Sequence, residues 1–364
     1  MILRSFRVRG QGSTEHGELM ATTAGEIRSF WVAAPGRGEI VAAPCLPACL
    51  PACLPARPDG DGASAGAHAV VRTLYSGVSR GSESLVFLGR VPGSQYGAMR
   101  APFQQGEFPG PVMYGYLNVG QVEMGPAELV GRTVFSLFPH QTRFRIPVED
   151  LTPVPAGVPA GRAVLAGTVE TALNALWDVP PQVGDRIAVV GAGMVGCSVA
   201  ALLAGFPGVR MQLVDVAPER AQVAGALGVP FAGPDDADGG CDVVFHASGT
   251  EQGLRRSLEL LAPEGTVVDL SWYGDRPVSL PLGEHFHSRR LTLRSSQVGQ
   301  VPPARRARYT RAARLALAVE LLRDDRFDAL ITGESEFDDL PQVMARIAAG
   351  RLPGLCHRIR YPRV

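Results

Sequence analysis

Between residues 186 and 215 the apolar positions fall into a short unbroken run (187–190), a glycine-punctuated turn, an Ala-, Val- and Leu-rich stretch (194–204) and a second run (209–214). An unbroken β-branched run is the pattern of a parallel strand buried on both faces, and the longer Ala- and Leu-rich stretch is helical in length. The segment therefore predicts strand, turn, helix, strand, with the helix stopping at Gly205 and Pro207. The alternation continues with a helix over 217–227 ending at Gly228, a strand over 242–246, segments at 254–261, 266–270 and 291–295, and a long helix over 305–323 with a basic first turn. A last αβ stretch closes at Tyr361, and a helical pattern over 160–177 precedes the whole series.

The first part of the chain reads differently. Residues 21–41 look like a strand pair, and strand signals return at 69–75, 133–138 and 142–146 among many Gly and Pro turns, which suggests a compact, barrel-like β-rich domain. The predicted organisation is a β-rich domain from 27–159 plus 302–364 and a doubly wound parallel α/β domain from 160–301. Residues 1–26 read as a disordered or mis-annotated extension, since the first 19 are polar and aperiodic and Met20 is the expected start of translation. Cys45, Cys49 and Cys53 begin three copies of Cys-Leu-Pro-Ala. Three thiolates could bind a soft metal, but the prolines forbid a helix that would align them, and the spacing better fits a repeated insertion in a surface loop.

The glycine turn is Gly191-Ala-Gly193-Met194-Val195-Gly196, followed 19 residues later by Asp215 at a predicted strand end. In a dinucleotide-binding unit the first glycine permits the tight turn, the second lets backbone approach a pyrophosphate, and the third lets helix pack on strand. The N–H groups of Met194 and Val195 at the helix start would face the phosphates. Asp215 would accept the ribose hydroxyls of an adenosine and repel a 2′-phosphate, so NAD is expected over NADP. Ser248 and Gly249, just past the strand 242–246, lie where ligands of open parallel sheets bind.

Composition narrows the chemistry. Acidic and basic residues balance at 35 each, so no electrostatic case exists for nucleic acid or an anionic membrane surface. All the basic residues are arginine, which excludes lysine Schiff bases and phosphate binding through a P-loop lysine. The absence of an 18-residue apolar run and of an apolar leader, with scattered single cysteines, makes the cytoplasm the expected location.

The order of parts resembles the medium-chain dehydrogenase/reductase superfamily. The marks are Gly110-Pro111, Gly115, Gly120-Gln-Val, Gly131-Arg-Thr-Val-Phe, the glycine turn with Asp215, Val244-Phe-His-Ala-Ser-Gly249, and Phe337-Asp-Asp-Leu-Pro with Ile347 and Gly350. That resemblance implies a Rossmann domain plus a partly open, GroES-like β-rich domain, a small-molecule substrate and a homodimer. It also implies zinc-ligand positions, which here carry Ser79 in place of a cysteine, Tyr116-Leu117 in place of His-Glu, and no ligand near 163–165. The four-cysteine structural-zinc lobe is replaced by residues 136–144. No zinc is therefore expected. Residues 75–83 and 167–176 are similar to the zinc-less branch that includes bacteriochlorophyllide dehydrogenase, a similarity that carries no substrate with it.

Without a metal, a carbonyl oxygen must be polarised by hydrogen-bond donors. Tyr116 and Ser79, at two former ligand positions, are the candidates, with packing as their alternative role. Glu83 could take a proton or orient Arg80, or else cap a helix or sit on the surface. Glu170, in an apolar helical run, needs a partner or a shifted pKa, and an ion pair with an arginine is the alternative to catalysis. His140 is expected to be exposed and idle, and His246 a satisfied near-core residue. His285 and His287 would share one side of a strand. The expected function is an NAD(H)-dependent oxidoreductase interconverting a secondary alcohol or polyol and a ketone without zinc. The competing functions are a quinone or enoyl reductase, which Asp215 disfavours, and a cofactor-binding protein without catalysis.

Overall fold

The computed structural model describes residues 26–43 and 67–362, so the triple-cysteine repeat and the N-terminal extension lie outside the described residues. The β-rich part begins with the antiparallel pair β1 (Ile27–Ala34) and β2 (Arg37–Ala43). Next come β3 (His68–Val78), helix α1 (Arg80–Phe87), β4 (Gln105–Gly106), β5 (Val112–Met113), β6 (Asn118–Met124), β7 (Thr133–Ser136), β8 (Arg143–Pro147) and β9 (Thr152–Pro153). β1, β2, β4 and β5 make a four-stranded sheet. β3 is the hub of a second sheet, pairing antiparallel with both β6 and β8.

The single helical pattern over 160–177 is divided into α2 (Ala160–Ala163) and α3 (Ala166–Asp178). The alternating region follows as β10 (Arg186–Val190), α4 (Met194–Leu203), β11 (Arg210–Val214), α5 (Arg220–Leu227), β12 (Phe231–Ala232), β13 (Cys241–His246), α6 (Glu251–Glu259), β14 (Leu261–Asp269) and β15 (Thr292–Ser295). Its strands form one parallel sheet in the order β12-β11-β10-β13-β14-β15. This is the doubly wound Rossmann order, whose chain reverses direction across the sheet between β10 and β13 and so opens a crevice at their C-terminal ends. Val189, Phe245 and Val268, on three neighbouring strands, have no exposed surface. Burial of each contributes about 1.5–3 kcal/mol, which explains why their strands are continuous apolar runs.

Helix α7 (Arg311–Leu321) starts six residues later than the sequence pattern suggests. The hydroxyl of Thr310 accepts the Ala313 N–H at 3.1 Å and fixes the start there, while the segment after Pro302-Pro303 is turn. α7 packs on α3, and Leu315, Ala318, Val319 and Leu322 join the main apolar core. The chain then returns through β16 (Ile331–Glu336), α8 (Leu340–Ala348) and β17 (Cys356–Arg360). β17 pairs antiparallel with β3, so the C-terminus completes the seven-stranded sheet of the β-rich part. No helix among the described residues is long and apolar enough to cross a membrane. His285 and His287 do not share a strand face. They are exposed on a short helical piece that follows a break at Glu284 (φ −92°, ψ −127°), where a spacing of two places side chains on nearly opposite sides.

Candidate active site

The glycine turn assigns each glycine a separate reason. Gly191 has φ +105°, and a β-carbon there would lie 2.5 Å from the Ser248 backbone nitrogen. At Gly196 a β-carbon would lie 1.8 Å from the Gly191 carbonyl oxygen, so helix α4 could not approach β10. At Gly193, by contrast, a β-carbon would meet nothing within 4 Å. Its lack of a side chain therefore leaves open space where the N-terminus of α4 points.

Asp215 follows β11, beside an open cavity of about 450 Å³ lined also by Val216, Phe231, Ala232 and Asp236. One carboxylate oxygen accepts the Ala192 N–H at 2.6 Å and the other accepts the Ala217 N–H at 2.9 Å. A carboxylate has about four lone-pair sites, so the two backbone bonds orient it while leaving capacity for ligand hydroxyls. Arg220, five residues on, donates instead to the Gly354 carbonyl at 3.1 Å and does not line this cavity.

In the β-rich part, β3 ends at Val78 and α1 begins at Arg80, which leaves Ser79 at the helix N-cap. Tyr116 lies between β5 and β6, and its hydroxyl donates to Ser79 Oγ at 2.6 Å. The two side chains placed by sequence at former ligand positions are therefore hydrogen-bonded to each other. Burial pushes the Tyr116 phenol above its usual pKa, with bonds to Ser79 and Ser82 opposing and the Glu83 carboxylate adding to the rise. Tyr116 is thus a protonated donor throughout the neutral range.

Glu83 is buried rather than on the surface, and it does not orient Arg80, which donates to the Leu352 carbonyl at 2.7 Å. Glu83 Oε1 accepts the Ser79 backbone N–H at 2.7 Å, closing the first turn of α1 as a capping carboxylate. Its other oxygen lies 2.8 Å from His140 Nε2. The expectation for His140 is overturned: it is 1% exposed. Its ring packs over Gly115, where a β-carbon would fall 2.9 Å from the ring, and its Nδ1 is 2.7 Å from Ser76 Oγ, which in turn is 3.0 Å from the Tyr361 hydroxyl. A buried polar chain of Glu83, His140, Ser76 and Tyr361 thus stands behind the Tyr116–Ser79 pair. No motif marks His140; its only sequence signal is its place between Phe138 and Phe144, which are buried and stacked 3.8 Å apart.

Glu170 is committed elsewhere. Its Oε1 accepts from Arg314 Nε at 3.0 Å, and Arg314, 1% exposed, also donates to Asn174 Oδ1 and to the Val298 and Gln300 carbonyls. The ion pair that the sequence left open is the arrangement found, and it ties α3 to α7. Burial raises the Glu170 pKa against the lowering by Arg314.

His246 is fully buried at the end of β13, with Nδ1 2.9 Å from Asp269 Oδ1 and Nε2 2.7 Å from Ser248 Oγ. Asp269 also accepts from the Ser271 N–H at 2.9 Å and the Tyr273 hydroxyl at 3.0 Å. Burial alone would raise the Asp269 carboxyl; the bonds from His246, Ser271 and Tyr273 outweigh it and hold the pKa below the usual range. The signal in sequence is positional, because VVFH and TVVD each end a parallel strand, and His246 and Asp269 stand directly opposite in register. The loop after β14 reaches the β-rich part, where a β-carbon on Gly274 would lie 2.8 Å from the Leu85 side chain of α1. The crevice of the Rossmann part and the Tyr116–Ser79 pair are thereby held in one assembly.

The donor set that Tyr116, Ser79 and Glu83 offer, a phenol, a serine hydroxyl and a carboxylate already bonded to backbone and imidazole, does not suit zinc, which favours thiolate, imidazole and free carboxylate. No group of three or more His, Cys, Asp or Glu among the described residues could hold a metal ion.

Crevice, glycine turn, acidic strand end and β-rich partner domain together make a two-domain fold, Rossmann plus GroES-like, that is shared with solved dehydrogenases. L-Idonate 5-dehydrogenase from Escherichia coli K-12 superposes with a TM-score of 0.69 at 16% identity, covering 92% of this chain and 98% of that one. A protein from E. coli CFT073 solved with the cofactor NADH gives 0.67 at 14% identity, covering 92% and 99%. Among curated proteins, a zinc-type alcohol dehydrogenase-like protein of Haemophilus influenzae is 29% identical over 144 residues, 36% of this chain and 42% of that protein. The probable D-xylulose reductase A of Arthroderma otae is 28% identical over 188 residues, 46% of this chain and 49% of that protein. The matches thus span about half the length of these relatives. No family model matches the chain.

Proposed function

We propose that this protein is an NAD(H)-dependent oxidoreductase that interconverts a secondary alcohol or polyol with a ketone and does so without zinc. The observation that carries the reading is the Tyr116–Ser79 hydrogen bond, which sets a phenol and a hydroxyl together beside the buried Glu83–His140 pair. The relatives' names, an alcohol dehydrogenase-like protein and a xylulose reductase, fit the same reaction class. A bound nicotinamide would supply or accept the hydride. Gly193, Met194, Val195 and the N-terminus of α4 would receive the pyrophosphate, Asp215 the adenosine ribose, and Ser248 with Gly249 would flank the nicotinamide half. Because the phenol donates to Ser79 Oγ, the Ser79 proton is left to point at a substrate oxygen. The pair then acts as a two-membered donor, with the phenol strengthening the serine as negative charge grows on that oxygen. Glu83 and His140 hold the Ser79 backbone, and the remaining partner is a small molecule. A second copy pairing on the exposed edge strand β15 would make the protein a homodimer.

NADH is preferred over NADPH in this reading, because the cavity at Asp215 presents two carboxylates and no arginine. Fluorescence titration with both reduced dinucleotides, followed by a panel of ketones and polyols, tests it. At least tenfold tighter NADH binding with turnover on the panel is expected. Equal affinity would remove the assignment to Asp215, and binding without turnover would leave a cofactor-binding protein that does not catalyse.

A further inference from the structure

Asp269, His246, Ser248 and Thr250 form a continuous hydrogen-bonded line from the interior to the crevice. The carboxylate of Asp269 can only accept, so His246 carries its proton on Nδ1 and donates it to Asp269 at 2.9 Å. In the neutral imidazole Nε2 is then an acceptor, and the Ser248 hydroxyl 2.7 Å away donates inward to it. The Thr250 Oγ1, 2.9 Å from Ser248 Oγ, is exposed and already accepts the Gly253 N–H, so its own hydroxyl is free to turn between Ser248 and the outside. The His246 and Ser248 protons thus point toward Asp269; of the two Ser248 lone pairs one takes the Thr250 backbone N–H at 3.3 Å, and the other is left for an outside donor when the Thr250 hydroxyl turns away. Ser248 also stands against the glycine turn, on the β13 side of β10, opposite the Asp215 cavity on the β11 side. A dinucleotide lying across the crevice with its adenosine at Asp215 would bring its nicotinamide half to Ser248.

We infer that Asp269 and His246 are positioning residues that fix Ser248 as a hydrogen-bond acceptor for a donor on the nicotinamide half of the cofactor, either its carboxamide N–H or a ribose hydroxyl. The inference rests on the cofactor reading above and goes beyond it by assigning a purpose to a buried His–Asp pair that packing alone does not require. A merely structural pair would set stability and leave cofactor affinity untouched.

The test is equilibrium binding of NADH and of its 3-acetylpyridine analogue, which lacks the amide donor, alongside thermal melts. Ser248→Ala should bind NADH about tenfold more weakly with its melting temperature nearly unchanged, and Ser248→Thr should retain parent affinity. His246→Asn, whose amide can pair with Asp269 but cannot reach Ser248, should match Ser248→Ala, while His246→Gln should recover much of the loss. A loss confined to NADH assigns the carboxamide, and an equal loss for both dinucleotides assigns the ribose hydroxyl. NADH affinity within twofold of the parent in Ser248→Ala overturns the inference while leaving the cofactor reading intact. Failure of the parent to bind either dinucleotide overturns both. Nitrogen NMR of the parent gives an independent check should the His246 variants not fold: protonation of His246 on Nδ1 is expected, and protonation on Nε2 alone would refute the inward polarity.

Discussion

Gly193→Ala separates ligand binding from folding at a single position. The backbone there has φ −82° and ψ −173°, which an alanine adopts without strain, and the added β-carbon would meet no atom within 4 Å. Two small effects on stability oppose each other: alanine is a poorer helix N-cap than glycine by up to about 1 kcal/mol, and it reduces the entropy of the unfolded chain by about 0.4–1 kcal/mol. Melting temperature should therefore stay within a few degrees of the parent. If a pyrophosphate lies against the open face of this glycine, the same methyl group stands in its place, and NADH affinity should fall at least tenfold, or about 1.4 kcal/mol. Gly196→Ala is the control of opposite kind. Its β-carbon would lie 1.8 Å from the Gly191 carbonyl oxygen, so α4 must shift, an overpacking cost of about 1–3 kcal/mol that appears as a lower melting temperature. Differential scanning fluorimetry and NADH fluorescence titration read the two effects apart. Parent-like NADH affinity in Gly193→Ala would show that nothing anionic occupies the turn and would refute its assignment.

Tyr116→Phe removes one hydroxyl and keeps the ring packing, so turnover should fall about a hundredfold, on the order of 3 kcal/mol of barrier, with NADH affinity unchanged; turnover within threefold of the parent would make the tyrosine a space-filler. Since burial holds the Tyr116 phenol above the ordinary phenol range, its donor role should persist through the neutral and mildly alkaline range, and a pH–rate profile that loses activity through ionisation of this phenol near pH 8 would contradict the assignment. Turnover should survive a strong chelator, with elemental analysis of the purified protein finding less than stoichiometric zinc; one zinc per chain would overturn the metal-free mechanism. Arg314→Met should destabilise by about 3–5 kcal/mol because it strands the buried Glu170 carboxylate, and adding Glu170→Met should recover most of that loss. A double variant no more stable than Arg314→Met would mean that the pair is not the source of the penalty.

The alternation of apolar runs and Ala-rich helices was enough to place the parallel sheet, because a strand covered on both faces is apolar along its length, and residues 187–190 and 243–245 are buried accordingly. The glycine turn was equally readable, since its spacing encodes local backbone geometry within a few residues. The end of α5 at Gly228, with φ +71°, is of the same kind. Helix starts were less visible: Thr310, not the arginines before it, begins α7, because one hydroxyl bond to a backbone N–H decides the matter. Only the tertiary structure could decide the polar partners. Glu83 and His140 are 57 residues apart, Glu170 and Arg314 are 144 apart, and His246 and Asp269 are 23 apart on neighbouring strands. Each pairing depends on where β3, α7 and β14 come to rest. Burial makes an unpartnered polar group costly and so requires a partner for each, but it does not specify which one. Sequence could say that Glu170 needed a partner and could single out Ser79 and Tyr116 as candidates. That the two hydroxyls meet at 2.6 Å, with a buried carboxylate and imidazole behind them, follows only from where α1, the segment between β5 and β6 and the loop that carries His140 come together.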